Sequence, residues 1–221
     1  MDDTARRRWL TAALLLGLAG DPANGLGQDP VSVIERAAGR FQALSGLCAD
    51  FEQRIDVTLL RQVKDSSGEL CQEGADHFEM RFLDPAGDRV VADGTDLWVY
   101  FPSTDPGQVF RTPLAGADGR FDLHREFLSE PGERYAATFE KADQIDGEAM
   151  QVVSLRPMVP SPYLHARLWI GAADGLIRRL VVLEESESVR TLHLSNHRPD
   201  PRLGPEWFRF EPPRGVQVIT R

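Results

Sequence analysis

Apolar and polar residues alternate along most of the chain beyond residue 47, and this period of two limits the possible folds more than any other feature. Successive side chains of a strand point to opposite faces, so such segments predict strands with one buried face. The predicted strands cover residues 49–59, 78–82, 96–101, 135–141, 151–155, 165–170, 176–183 and 189–194. Asp-Gly pairs at 93–94, 146–147 and 174–175 favour tight reversals between them. We therefore expect an antiparallel meander.

A large sheet of this kind should curl on itself. Open sheets that reach about ten or eleven strands curl or split because each strand is twisted. We predict a mainly β fold, an incomplete antiparallel β-barrel with an N-terminal helix and short lid helices. The N-terminal helix should begin at Asp29-Pro30, where Asp can cap and Pro is preset for the first turn, and end near Ser45-Gly46. Residues 119–129 carry the pattern of a short helix.

The first 27 residues have the pattern of a secretory signal peptide. Arg6, Arg7 and Arg8 precede an apolar run over residues 9–20, and small residues follow at 25 and 27. The run is shorter than the about 20 apolar residues that cross a bilayer. Cysteine is absent near the expected cleavage point, which excludes lipid attachment there. We therefore expect a soluble periplasmic product, with residues 28–221 as a single domain.

The mature chain should remain acidic. The leader contains three basic and three acidic residues, so its removal leaves the formal charge of −9 unchanged. Negative charge of this size repels nucleic acid and anionic lipid surfaces. We therefore expect a monomer without a nucleic-acid partner and without a basic membrane-binding surface.

Two cysteines, Cys48 and Cys71, enter an oxidising compartment, where a disulfide is possible. If their strands form a hairpin that turns at residues 65–68, Cys71 lies opposite Arg61, roughly 40 Å from Cys48 at about 3.3 Å per residue. A disulfide requires Cα atoms within about 7 Å. We therefore expect two separately packed thiols, unless a strong bulge or fold-back brings them together.

The end of the chain combines two aromatic residues with a stop and a turn. Phe208 and Phe210 alternate with charged residues as in a strand, and Pro212-Pro213 must end that strand because neither residue has a backbone N–H. A turn at Gly215 precedes a second short alternation. The whole segment, residues 207–219, has the pattern F-x-F-x-P-P-x-G-V-x-V-I from its first phenylalanine.

Three earlier motifs accompany this ending: A-x-F-x-Q at 49–53, V-x-D-G-x-x-L-W-x-Y at 91–100, and D-G-x-I at 174–177. In this order, and after a signal peptide, the four motifs resemble the periplasmic outer-membrane lipoprotein carrier family of the LolA type. The resemblance implies an apolar cavity under a helical lid, which carries acylated lipoproteins from the inner to the outer membrane. It implies an inner-membrane ABC-type release complex as donor and an outer-membrane receptor as acceptor.

Alternation and the resemblance together define the expected binding residues. Apolar side chains on the inward face of the strands, and three in the lid, should contact the acyl chains: Phe51, Ile55, Val57, Leu59, Phe78, Met80, Phe82, Leu97, Val99, Phe101, Phe121, Leu123 and Phe127. As an alternative, the same residues fill an ordinary core. A fully packed interior would favour a non-transporting envelope scaffold or regulator on the same fold.

One family feature is missing. An Arg-Pro pair on the second strand holds the lid in the family, and the matching positions here are Gly74-Ala75. Arg81 or Arg89 could substitute, or could lie on a solvated strand face. The loss leaves the cargo open between triacylated lipoproteins and another acyl or polyene lipid.

Patterns for catalysis or metal binding are absent from the sequence. It contains no nucleotide-binding loop, nucleophile elbow, Cys-x-x-Cys or His-Glu-x-x-His. His193 and His197 would lie about 13 Å apart on a strand, too far for one metal ion. The acid pairs at 184–185 and at 122 and 126 could serve acid-base chemistry in a cleft, but surface positions are far commoner. We expect no enzyme activity, metal or cofactor.

Overall fold

One curved sheet dominates the computed structural model, which describes residues 29–116, 124–204 and 206–221. Helix α1 spans Pro30–Gln42 and the short helix α2 spans Pro131–Arg134. The strands are β1 Leu47–Val57, β2 Gln62–Glu73, β3 His77–Asp84, β4 Arg89–Asp93, β5 Asp96–Tyr100, β6 Gln108–Pro113, β7 Tyr135–Ile145, β8 Glu148–Pro157, β9 Tyr163–Gly171, β10 Ile177–Glu184, β11 Val189–Pro199 and β12 Gln217–Thr220.

The strand order is β12-β6-β5-β4-β3-β2-β1-β11-β10-β9-β8-β7, and the two outermost strands of this described sheet do not pair with each other. The predicted mainly β, incomplete antiparallel architecture is confirmed, with twelve strands in place of ten or eleven. One strand breaks the antiparallel pattern, since β12 pairs parallel to β6. The chain reaches β12 after crossing the outer face of the sheet, which sequence periodicity does not reveal.

The first hairpin differs from the prediction. Its turn is a short 3₁₀ segment, Thr58–Leu60, followed by Arg61 at φ 50°, and β2 then continues through Gly68. In this register Cys48 lies directly opposite Cys71, and the two form a disulfide with Cα atoms 4.1 Å apart. The expectation of separate thiols was therefore wrong, because the turn lies before residue 65.

Gly68 explains the error. A Cβ atom at this position would lie 2.9 Å from Cε1 of Phe51 and still closer to the backbone carbonyl of Arg81. The glycine therefore permits close packing inside a strand, a use of glycine that resembles a turn signal in the sequence. The leucines at 59 and 60, which continue the apolar alternation, occupy the turn instead.

Helix α1 forms as predicted and lies across the concave face of the sheet. The Asp29 carboxylate accepts hydrogen bonds from the backbone N–H groups of Val31 and Ser32, and Pro30 occupies the first turn. One side of the helix is buried through Val33, Ile34, Ala37 and Ala38. The helix ends at Gln42, slightly earlier than the predicted Ser45-Gly46. Among the described residues, no helix has both the length and the apolar character to cross a bilayer.

The sheet has two rims, and one of them is adjacent to the lid segment. We define the lid rim by the turns at residues 58–61, 85–88, 101–107, 158–162 and 185–188. The lid segment, residues 124–134, consists of one π-helical turn, His124–Leu128, and helix α2, and it leads into β7 at this rim. The helix predicted over 119–129 falls partly on residues 119–123, which lie outside the described residues.

The C-terminal segment, residues 203–216, covers the outer face of one half of the sheet. Phe208 packs on the disulfide, and Phe210 packs on Val91 and Val109. The predicted strand through Phe208 and Phe210 is wrong, because Phe208 lies in a turn and the residues that follow it pack on the sheet without strand pairing. Its alternation reflects the burial of one side. The turn at Gly215, with φ 84°, and the final strand β12 are as predicted.

Candidate functional site

The concave face of the sheet and helix α1 enclose an apolar interior. Of the predicted binding residues, five are buried there: Phe51, Phe78, Met80, Phe82 and Phe127. Three are half-buried and pack against this interior: Leu97, Val99 and Phe101. Ile55 and Val57 are half-buried and share the strand parity of Phe51. Leu59 does not face inward, because it lies in the β1–β2 turn and is 75% exposed. Phe121 and Leu123 lie outside the described residues.

Edge-to-face aromatic contacts in this interior reach across an intervening strand. The Phe51 and Phe82 rings are 5.1 Å apart and nearly perpendicular, and Phe82 makes a similar contact with Phe101 at 5.7 Å. Such pairs each add about 0.5–1.5 kcal/mol beyond the area they bury. The predicted inward residues of β1, β3 and the end of β5 therefore form one continuous apolar surface.

The enclosed space within this interior is small. A cavity of about 30 Å³ lies under the lid segment, and it is lined by Gln53, Met80, Glu126, Phe127, Pro162, Tyr163, Leu180, Val182, Glu184, Arg190 and Leu192. Sites that hold drug-sized ligands are usually about 300–1,000 Å³. A lipid chain does not fit this cavity as the described residues shape it, so entry there requires displacement of the lid segment.

A larger open groove lies at the rim opposite the lid. Its volume is about 340 Å³, and it runs between the end of α1 and the β2–β3 turn, where Phe41, Leu44 and Leu47 line it. Gly74 and Ala75, the positions that match the family's Arg-Pro pair, also line this groove. The lid segment lies at the other rim, so these two positions cannot contact it.

Four residues join the lid segment to the sheet, and we call them the lid clasp: Glu126, Arg134, Tyr135 and Tyr163. The Tyr163 hydroxyl donates to Oε1 of the buried Glu126 carboxylate at 2.6 Å. Arg134 donates to the Glu126 carbonyl oxygen at 2.8 Å and to Oε1 at 3.2 Å. The Tyr135 hydroxyl donates to the same carbonyl oxygen at 2.5 Å and lies 2.6 Å from the Tyr163 hydroxyl. Glu126 is therefore bound to the ends of both β7 and β9.

The environment of the clasp keeps both tyrosines neutral. Burial, together with the negative charge of the Glu126 carboxylate, raises the pKa of Tyr135 to about 12. Burial and the hydrogen bond to Glu126 also raise the pKa of Tyr163. A neutral hydroxyl can donate to the carboxylate, whereas a phenolate would repel it. The clasp is therefore intact at neutral pH.

No pattern in the sequence predicts the clasp. Glu126 was expected only as half of an acid pair with Asp122, which lies outside the described residues. Tyr135 and Tyr163 begin strands that are distant in sequence, and their approach depends on the sheet order. The available signal was a single carboxylate next to the apolar pair Phe127-Leu128, both buried.

Arg81 and Arg89 do not replace the family's lid arginine. Both lie on the outer face of the sheet, where they bind the completely buried carboxylate of Glu79 at 3.3 Å and 2.8 Å. The Arg81 guanidinium also stacks over the Trp207 ring at 4.5 Å. The two arginines do not lie on a fully solvated strand face either. The C-terminal segment contacts both side chains, through Trp207 on Arg81 and Phe210 on Arg89.

The remaining polar candidates are dispersed. Glu184 is paired with Arg190 at 3.1 Å, His193 accepts from Arg179, and His197 is hydrogen bonded to the carbonyl of Ile177. Burial lowers the pKa of both histidines. In the described part of the chain, the group with metal-ligand spacing is Cys48, Glu69 and Cys71, whose sulfurs are consumed by the disulfide.

The sequence is similar to those of several proteins that share one name. No protein-family model matches the chain. An outer-membrane lipoprotein carrier protein from Alkalilimnicola ehrlichii is 29% identical over 182 residues, which cover 81% of this chain and 79% of the relative. Proteins of the same name from Legionella pneumophila, Nitrosomonas europaea and Xanthomonas species are 24–25% identical.

Solved structures share the fold at lower identity. An uncharacterized conserved protein from Thermus thermophilus superposes with a TM-score of 0.57 at 16% identity, over 86% of this chain and 98% of that one. The MucA/MucB complex of Pseudomonas aeruginosa gives 0.51 at 14% identity, over 87% of this chain and 64% of that one. The chain therefore shares the mainly β fold of these proteins. Its resemblance to outer-membrane lipoprotein carrier proteins, predicted from four motifs, is confirmed by homologues that carry that name.

Proposed function

We propose that the protein is a soluble periplasmic carrier that binds the acyl chains of lipoproteins, or of a related lipid, between the concave face of its sheet and helix α1. The supporting observation is a continuous apolar interior closed by a short segment that polar groups join to the sheet. The names of the homologues support the same class of cargo.

The energetics of such a carrier favour a dry interior. Each methylene group moved from water into an apolar site contributes about 0.8 kcal/mol, so one long chain accounts for several kcal/mol. Binding must also offset the contacts that the closed interior loses when it opens. A closed state with a cavity of about 30 Å³ therefore suits a protein that shields its apolar surface until cargo arrives.

The lid clasp supplies the step that controls opening. Phe127, the neighbour of Glu126, packs on the Tyr163 ring with centroids 5.5 Å apart, so the segment that contains both residues covers the cavity. Displacing this segment from the sheet separates Glu126 from the hydroxyl groups of Tyr135 and Tyr163. In this proposal the clasp takes the role that the Arg-Pro pair has in the family.

Cargo exchange completes the proposal. The carrier receives its cargo from an inner-membrane ABC-type release complex and delivers it to an outer-membrane receptor, so transfer runs from the inner to the outer membrane. Because the family's lid arginine is absent, the cargo is either a triacylated lipoprotein or another acyl or polyene lipid.

The decisive experiment is mass spectrometry of lipids and lipoproteins that remain bound to protein purified from the periplasm, together with titration of a fluorescent fatty acid. We expect a bound acylated species and saturable uptake of one fatty acid per site. Val218→Ser, at an exposed position on the edge strand β12, is the matched control and should leave uptake unchanged. Protein that carries no lipid and takes up no fatty acid contradicts the proposal.

A second function, a non-transporting envelope scaffold or regulator, is favoured by the packed interior itself. A scaffold requires no lipid-sized space, and the fold also occurs in the MucA/MucB complex. The same titration separates the two functions, because a scaffold keeps its interior closed and binds no fatty acid.

A further inference from the structure

Exposed apolar side chains are concentrated at one rim of the sheet. Eight large hydrophobic residues of the described chain are exposed, and seven of them lie on or beside turns of the lid rim: Leu59, Leu60, Val63, Leu83, Met158, Val159 and Leu164. The eighth, Val218, lies on the edge strand β12. Single exposed apolar residues are ordinary, but a one-sided set of this kind marks an interaction surface.

The β1–β2 hairpin tip, residues 58–64, is the most prominent part of this set. Leu59 and Leu60 are 75% and 64% exposed, and Val63 is 47% exposed. The 3₁₀ turn and the positive φ of Arg61 hold the two leucines outside the sheet. The Thr58 hydroxyl donates to the carbonyl oxygen of Glu187 at 2.8 Å, which fixes the base of the tip on the next turn of the rim.

Cations accompany the leucines at this tip. Arg61 and Lys64 are exposed, and neither forms an ion pair with another described residue. The nearby carboxylates of Asp56 and Asp65 are paired with Arg54. Glu185 and Glu187 also face the rim, so its charge is mixed rather than strongly basic.

The second apolar group lies beside two residues of the cavity in the sequence. Met158, Val159 and Leu164 flank Pro162 and Tyr163, which line the cavity under the lid segment. The hairpin tip and this second group lie on separate turns and do not cover each other. A flat apolar partner can contact both at once, whereas a single protein groove would fit only one projecting turn.

We propose that the lid rim docks on a phospholipid bilayer, with Leu59 and Leu60 inserted among the acyl chains and with Arg61 and Lys64 on headgroup phosphates. Apolar residues flanked by cations are the usual pattern of a segment that lies in the membrane interface. This docking places the mouth of the cavity at the lipid surface, where an acyl chain can enter without crossing water. The inference rests on the proposed carrier function for its purpose, but its geometry is independent of it.

The net negative charge of the chain determines which lipid surfaces the lid rim should prefer. A chain of −9 is repelled by an anionic surface at long range. Apolar insertion acts at contact and is not screened by salt, so the protein should prefer zwitterionic to anionic vesicles at low ionic strength. Added salt should reduce that preference.

The test is flotation of the mature protein with phosphatidylcholine vesicles, and separately with vesicles that contain phosphatidylglycerol. We expect the wild type to float with phosphatidylcholine, and Leu59→Asp combined with Leu60→Asp to reduce the bound fraction by at least about tenfold. Val218→Asp, an exposed apolar residue away from the hairpin tip, is the matched control and should float as the wild type does.

A fluorescence measurement tests insertion directly and tolerates failure of the double variant to fold. Leu60→Trp should shift its emission to the blue on addition of phosphatidylcholine vesicles and be quenched by brominated acyl chains, whereas Val218→Trp should not. Absence of wild-type flotation, or equal flotation of wild type and the double variant, overturns the inference. Loss of fatty-acid uptake with flotation intact refutes the carrier function alone.

Discussion

Two glutamates of the described chain are buried and bind arginine, and the two sites differ in what they connect. On the outer face, Glu79 binds Arg81 and Arg89, all on adjacent strands of one sheet, under the C-terminal segment. At the lid rim, Glu126 binds Arg134, Tyr135 and Tyr163, and so connects a short helical segment to the sheet. Similar chemistry can therefore serve a permanent structural role in one region and a reversible closure in the other.

The difference lies in how many other contacts hold each site. The Glu79 cluster is fixed by ladder hydrogen bonds on both sides of β3 and by the stacking of Trp207. The lid segment has one π-helical turn and one short helix, and its buried residues outside the clasp are Phe127, Leu128 and Pro131. Regions with few buried contacts open at lower free energy than the core. Substitutions in the two regions should therefore separate stability from lipid uptake.

The largest expected effect on the free energy of unfolding comes from the disulfide on the outer face of the sheet. Replacing both Cys48 and Cys71 with Ser should lower the free energy of unfolding by about 3 kcal/mol, since a cross-link over this sequence separation restricts the unfolded chain by that amount. Urea unfolding of the oxidised wild type and the double variant measures it. Fatty-acid affinity of the folded variant should remain unchanged, and a large loss of affinity would show that the outer face takes part in binding.

Glu79→Gln should lower the free energy of unfolding slightly less than removal of the disulfide does. It leaves two arginines without their carboxylate in a mostly covered position, and we expect a loss of about 2–3 kcal/mol because both guanidinium groups keep some contact with water. Thermal and urea unfolding measure this loss. Arg54→Gln, which alters an exposed ion pair, is the control and should change stability by less than about 0.5 kcal/mol.

Glu126→Gln tests the lid side. The amide cannot provide a charged acceptor for Arg134 and Tyr163, so stability should fall by about 1–2 kcal/mol. The open state gains the same free energy, and fatty-acid association should accelerate several-fold in stopped-flow fluorescence. If Glu79→Gln accelerates uptake as much as Glu126→Gln does, the proposed division between the two glutamate sites is wrong.

The smallest expected effect is that of Tyr135, and it is seen in how the free energy of unfolding depends on pH. Its folded pKa of about 12 exceeds the ordinary value near 10, so the unfolded chain releases this proton first as pH rises. Its contribution to stability is therefore complete below pH ~10 and is lost progressively between about pH 10 and 12. Tyr135→Phe should flatten the decline of unfolding free energy over this range. An unchanged decline would place the titrating group elsewhere.

Local signals in the sequence predicted much of the fold. Asp29-Pro30 fixed the start of α1, and the Asp-Gly pairs set the reversals, because both act through neighbouring backbone atoms. Alternation placed Phe78, Met80 and Phe82 on the inward face for the same reason. These features depend on a few adjacent residues.

Features that depend on distant packing were missed. Gly68 serves the approach of Phe51 and Arg81, so its appearance as a turn signal misplaced the first hairpin and separated the two cysteines. The parallel β12 and the lid clasp depend on the sheet order, which brings Glu126, Tyr135 and Tyr163 together. The acyl-binding role of the predicted inward residues remains a prediction.

The central claim is that acyl chains occupy the interior after the lid opens. A fatty acid with a photoreactive group near the end of its chain, cross-linked to the protein and mapped by mass spectrometry, tests this most directly. We expect labels on inward residues such as Phe51, Met80 and Phe127, and more labelling of them in Glu126→Gln. Labels confined to the exposed hairpin tip or to the outer face would contradict the account.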